Sequence, residues 1–141
     1  MGNPFVHIEL STDDVSKAKK FYKGLFQWKV SDMKLGPGMT YAMIDFGKKD
    51  MGGGMQKNMS PMPSNWLPYV QVDDVKKTIA KAKKMGAQIL IDYQPIPDMG
   101  ALGIFTDPSG ATLGVWEAAK AAPRKASARK PAKKTAKKSR R

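Results

Sequence analysis

Three observations predict an α+β fold built from two copies of one βαβββ module. The tripeptide Asp13-Asp14-Val15 returns sixty residues later as Asp73-Asp74-Val75. The same offset pairs Ile44 with Ile104 and Gly54 with Gly114, so one register runs from the start of each copy to its end. Each Asp-Asp-Val also stands between a short strand-like run and a Lys-rich segment whose apolar residues recur at helical spacing. The expected boundaries are 1–57 for the first module, 58–65 for a linker, 66–117 for the second module and 118–141 for a tail.

Phe5 to Leu10 alternates, with Phe5, His7 and Glu9 on one face and Val6, Ile8 and Leu10 on the other, as in a half-buried strand. Ser11-Thr12-Asp13-Asp14 supplies cap residues, and Val15, Ala18, Phe21 or Tyr22, and Leu25 give an amphipathic helix ending near Gly24. Trp28–Val30, Met39–Phe46 and Met51–Lys57 read as three further strands, separated by Gly-rich turns. The order then repeats. Trp66–Val72 is an expected strand and Asp73–Met85 a helix stopped by Gly86; Gln88–Asp92, Gly103–Thr106 and Ala111–Trp116 are the closing strands.

A chain of 141 residues with 41% hydrophobic content supports one ordinary core, so the two modules must share a sheet or an interface. The absence of cysteine excludes disulfides, thiolate catalysis and Cys-type zinc sites. The start, Met1-Gly2-Asn3-Pro4-Phe5, lacks the pattern of a secretion signal, and no run approaches the roughly 20 apolar residues of a membrane span. The expectation is an unprocessed cytoplasmic protein with no membrane partner. The formal charge of +13 is unevenly placed, because eleven of the 25 Lys/Arg and none of the 12 Asp/Glu lie in residues 118–141. The body is thus close to neutral, and the basic character is assigned to the tail.

Taken together, Val6-His7-Ile8-Glu9-Leu10, the two Asp-Asp-Val helix starts, Phe21-Tyr22-Lys23-Gly24-Leu25-Phe26-Gln27-Trp28, Trp66-Leu67-Pro68-Tyr69-Val70-Gln71-Val72 and Asp107-Pro108-Ser109-Gly110-Ala111 resemble the vicinal oxygen chelate superfamily. This group contains glyoxalase I, bleomycin-resistance proteins and extradiol dioxygenases. The resemblance covers residues 4–117 and implies a curved, glyoxalase-like mixed sheet with helices outside and a ligand in the cup. Family enzymes hold a divalent metal through the first and last strands of each module. Carried over, those positions are His7, Leu67, Gly54 and Gly114. Only His7 keeps a side chain able to bind metal, so the expectation is no tightly bound metal and no cofactor. A weak divalent ion at His7 stays open, with Glu9 and Glu117 as neighbouring carboxylates.

By strand alternation the cup lining is expected to hold His7, Glu9, Leu67, Tyr69, Gln71, Thr112 and Trp116, with Gly54 letting a ligand approach the backbone. The alternative role for the glycines of Gly52-Gly53-Gly54 is to let the sheet bend. His7 is the candidate general base or orienting donor and Glu9 its partner; a pair lining a cavity with no chemistry is the plainer alternative. The first functional reading is a domain that binds, and in one version transforms, a small organic molecule. If it is an enzyme, it is related to lactoylglutathione lyase with unknown substrate. A drug-sequestering protein of the bleomycin-resistance kind ranks lower, since Glu9 is the main acid in the cup. The third reading is a nucleic-acid-associated adaptor, with nucleoid association as its setting.

That third reading rests on the tail. Its cations Arg124, Lys125, Arg129, Lys130, Lys133, Lys134, Lys137, Lys138, Arg140 and Arg141 recur in doublets among Ala, Pro, Ser and Thr, a composition unable to form a core. The tail resembles the carboxyl-terminal tails of linker histones, and it would bind DNA or another polyanion without sequence preference and with steep salt dependence. Monomer and homodimer both remain open.

Overall fold

The computed structural model describes residues 2–58 and 63–120. The expected tail contacts at 124–141 lie outside these residues. The elements follow one another as β1 (Phe5–Thr12), α1 (Val15–Phe26), β2 (Lys29–Gly36), β3 (Met39–Asp45), β4 (Gly52–Lys57), β5 (Asn65–Gln71), α2 (Val75–Lys84), β6 (Gln88–Ile96), β7 (Gly100–Thr106) and β8 (Thr112–Ala118). This is the βαβββ order twice over.

The duplication extends to individual hydrogen bonds. The carboxylate of Asp14 accepts from the Lys17 amide at 2.9 Å, and that of Asp74 from the Lys77 amide at 3.0 Å, each satisfying a helix-start donor. The ends differ. α1 runs two residues beyond the expected stop at Gly24, because Gln27 adopts the left-handed conformation (φ 56°) and its amide donates to the Lys23 carbonyl. α2 is followed by Gly86 at φ 99°.

All eight strands form one sheet in the order β2-β3-β4-β1-β5-β8-β7-β6. Within each module the first and last strands are parallel, β1 with β4 and β5 with β8, while β1 and β5 join the modules antiparallel. The outer strands are longer than expected: β6 reaches Ile96 instead of Asp92, and β7 begins at Gly100 instead of Gly103. Pro95 near the end of β6 is tolerated because that strand is an edge.

Cross-strand register decides the two faces. Leu10 lies opposite Met55 and Trp66, and with Ala42 and Ile44 it forms the core against Val15, Ala18 and Tyr22 of α1. Val70 lies beside Val115, which packs with Val72 and with Val75 and Ile79 of α2. Since Trp66 and Val70 are an even number of residues apart on β5, both helices cover the same face. The other face carries His7, Glu9, Tyr41, Gly54, Gln56, Leu67, Tyr69 and Gly114.

The expected grouping of Phe5 with His7 and Glu9 is corrected by a β-bulge. Phe5 pairs with Val70 and His7 with Tyr69, so β1 has an extra residue at Val6 and Phe5 moves to the helical face. The two helices are also seated unequally. α2 buries Val75 and Ile79, whereas α1 buries no residue fully and leaves Phe21, Leu25 and Phe26 more than half exposed. Among the described residues no helix is long and apolar enough to cross a membrane.

Candidate functional site

β1 carries His7 and Glu9 on the inner face, one strand position apart, and β3 brings Tyr41 across to meet both. The Tyr41 hydroxyl donates to Glu9 Oε2 at 3.1 Å and lies 2.7 Å from His7 Nε2. A phenol has one proton, so with that proton on Glu9 the imidazole must be the Nε2–H tautomer donating to the phenol oxygen. From β4, Gln56 Nε2 donates to the other carboxylate oxygen, Oε1, at 2.7 Å. The result is a row, His7 to Tyr41 to Glu9 to Gln56, running from a partly exposed ring to a buried acid. The His7 side chain is 26% exposed and that of Glu9 9%.

Burial dominates the proton affinities. It pushes the Glu9 carboxyl up to about 7 against the opposing pull of the Tyr41 and Gln56 hydrogen bonds, and it pushes His7 below its usual range. Near neutrality the imidazole is therefore uncharged and Glu9 is poised between its two forms. His7 Nε2 lies 3.8 Å from Glu9 Oε2, but this is a polar contact bridged by a phenol and no ion pair. Tyr41 and Tyr69 are both held protonated, first by burial and then by the Glu9 charge.

The glycines at the carried-over ligand positions have a definite neighbour. A side-chain carbon at Gly54 would run into the Tyr41 ring, and one at Gly114 into the Tyr69 ring. Each glycine thus makes room for a tyrosine lying against the sheet. Leu67, Tyr69, Tyr41 and Glu9 are all buried, so these side chains themselves fill the middle of the cup. At its margins Trp116 pairs with Gln71 and Leu102, Gln71 is exposed, and Thr112 Oγ1 shares a 3.3 Å hydrogen bond with Thr106 Oγ1. His7, Glu9, Leu67, Tyr69 and Gly54 come together, while Gln71, Thr112 and Trp116 lie along the second module's side.

Tyr41 and Gln56 escaped the sequence reading. Alternation puts Gln56 on the face of Gly54 and Tyr41 on one face of β3, but which face meets Glu9 depends on pairing between strands far apart in sequence. A metal does not fit this site. Leu67, Gly54 and Gly114 supply no ligand, both oxygens of Glu9 already accept hydrogen bonds, and the described residues contain no group of three or more His, Cys, Asp or Glu side chains able to hold an ion.

A further concavity lies outside the cup. It is an open, apolar groove of about 630 Å³ on the helical face, walled by Phe5, Tyr22, Phe26, Trp28, Phe46 and Trp66 and reached also by His7. Trp66 Nε1 donates to the Tyr22 hydroxyl at 3.2 Å, and Trp28 packs edge-on against both Phe46 and Trp66.

Comparison with known proteins agrees with this geometry. The chain is 33% identical over 111 residues to "Putative glyoxylase CFP32" of Mycobacterium tuberculosis, covering 79% of this chain and 42% of that protein. It is 26% identical over 124 residues to the anthracycline biosynthesis protein DnrV of Streptomyces peucetius, covering 77% and 44%. The chain thus spans less than half the length of the curated relatives it matches. Among solved structures, a hypothetical protein from Bacillus halodurans superposes with a TM-score of 0.65 at 16% identity, covering 86% of this chain and 99% of that one. Methylmalonyl-CoA epimerase from Mycobacterium tuberculosis gives 0.62 at 10% identity, covering 82% and 88%. At these identities the likeness is one of fold. The family model of the Glyoxalase/Bleomycin resistance protein/Dioxygenase superfamily matches residues 5–115, and the chain belongs to that superfamily.

Proposed function

We propose that this chain binds a small organic molecule at the His7 end of the cup, with Glu9 as a proton donor and acceptor behind it. The observation that supports this reading is the row His7–Tyr41–Glu9, which links a partly exposed imidazole to a buried carboxyl poised near neutrality. When Glu9 is ionised, His7 Nε2–H donates to the Tyr41 oxygen and the Tyr41 hydroxyl donates to Glu9; when Glu9 is protonated, its hydroxyl donates to the Tyr41 oxygen, the Tyr41 hydroxyl donates to a bare His7 Nε2, and the imidazole carries its proton on Nδ1, so neither state leaves these atoms unpaired. A proton taken from a ligand at His7 Nδ1 can then pass through Nε2 and the Tyr41 hydroxyl to Glu9, neutralising its buried carboxylate, and return by the same route. This chemistry suits a molecule that gains or loses a proton beside a polar group, and it needs no metal. Thr112 and Trp116 keep partly exposed surface against which the ligand would lie, while Leu67, Tyr69 and Gly54 lie buried beneath it.

The test is thermal shift of the full chain against small carboxylic and carbonyl compounds. His7→Ala is expected to abolish any ligand-dependent shift. Retention of the shift would move the site to the aromatic groove beside α1. The tail reading stands beside this one: eleven cations and no acid in residues 118–141 suit nonspecific contact with a polyanion. Replacing the cations of residues 124–141 with Gln in the full chain should weaken retention on DNA and flatten its salt dependence.

A further inference from the structure

We propose that the helical face of the sheet is itself a docking surface for double-stranded nucleic acid, adding to the tail and independent of it. α1 carries Lys17, Lys19, Lys20 and Lys23, and α2 carries Lys76, Lys77, Lys81, Lys83 and Lys84. Neither helix contains an Asp or Glu. All of these lysines except Lys19 are exposed, and Lys19, which bonds Asp32 at 2.7 Å, is the one in an ion pair among the described residues. A near-neutral body thus conceals a segregated charge. Asp13, Asp14, Asp73 and Asp74 stand just before the helix starts, Glu9 is inside the cup, and most other acids lie on strands and turns.

Two physical costs argue that this arrangement is more than a solvated surface. Lys19 and Lys23, and likewise Lys77 and Lys81, stand four residues apart on one helix face, where like charges are destabilising and a Glu–Lys pair would stabilise. Lys17 and Lys77 lie in first turns, where the helix dipole disfavours a cation, whereas Lys23, Lys81, Lys83 and Lys84 lie in last turns, where it favours one, and Lys76 sits over the Tyr93 ring. Both helices lie on the same face of the sheet, and the proposed partner lies along that face. A rod of phosphates matches two lysine rows in sign and needs no apolar contact. α1 also exposes Phe21, Leu25 and Phe26, so an anionic bilayer is the competing partner that the experiment below separates from a duplex.

The experiment measures binding of the full chain to a short labelled DNA duplex between roughly 50 and 200 mM salt. Two variants are compared: K17Q/K20Q/K77Q/K81Q, and a chain whose residues 124–141 carry Gln for every Lys and Arg. The helix variant should bind about tenfold more weakly at low salt, with the slope of log K against log salt reduced by about 3. The tail variant should keep salt-sensitive duplex binding, which the helix substitutions then remove. Equal affinity and slope for wild type and helix variant would overturn the proposal, as would a tail variant that binds phosphatidylserine vesicles and no duplex. Unchanged circular dichroism checks folding; should the quadruple variant not fold, K17Q/K20Q and K77Q/K81Q are tested separately. Ligand shift at His7 should survive all of these changes, so failure here is distinguishable from failure at the cup.

Discussion

The phenol ring of Tyr41 occupies the space in which a side chain at Gly54 would stand. Tyr69 bears the same relation to Gly114, one module later. In each module a glycine and a tyrosine ring share this space, and the hydroxyl of the first ring, Tyr41, donates to Glu9. Substituting Gly54→Ala or Gly114→Ala should lower stability by about 1–3 kcal/mol through overpacking. Chemical denaturation measures it. In the double variant G54A/Y41A the two costs should add to less than their sum, because removing the ring relieves the clash.

Glu9 should leave a pH signature on stability. Its folded value of about 7 lies above the unfolded carboxyl range, so the native state holds the proton longer, and stability falls as pH rises from roughly 4.5 through 7. Glu9→Gln should remove that decline. The difference between wild type and variant should grow to roughly 2–3 kcal/mol above pH 7, an upper figure set by the size of the shift. His7 acts oppositely: its folded value is depressed, so the unfolded chain takes the proton first and stability is lost as pH falls below about 6.5. Comparing wild type with Glu9→Gln alone keeps the two effects apart.

Tyr41→Phe removes the hydroxyl that joins His7 to Glu9 and leaves the ring over Gly54 in place. The ionised carboxylate loses a donor, so Glu9 should titrate above its present value, and stability should drop by about 1–3 kcal/mol. Carboxyl carbon chemical shifts followed against pH would report the titration. An unmoved Glu9 would mean that the phenol does not govern its proton.

The repeated helix start can be tested in both copies. Asp14→Ala and Asp74→Ala each remove a cap to the amide three residues on and should each cost about 1 kcal/mol. Being in separate helices, they should add in the double variant.

Both helices and the module order were legible in the chain itself. Caps, helical periodicity and a sixty-residue repeat are local features, and local features carry their own physics. His7 and Glu9 sharing a face followed from strand alternation in the same way. The partner that joins them did not, because Tyr41 reaches Glu9 through pairings of β1 with β4 and β4 with β3, and nothing near Tyr41 in sequence encodes them. Phe5 left that face because of one extra residue in β1, a bulge visible only against β5. The basic helical surface shows the same division. Composition counts a nearly neutral body, whereas the lysines of two helices far apart in sequence share one side of the sheet only because strand register puts both helices there. The repeat thus determined which elements form, and cross-strand register decided which of their side chains meet.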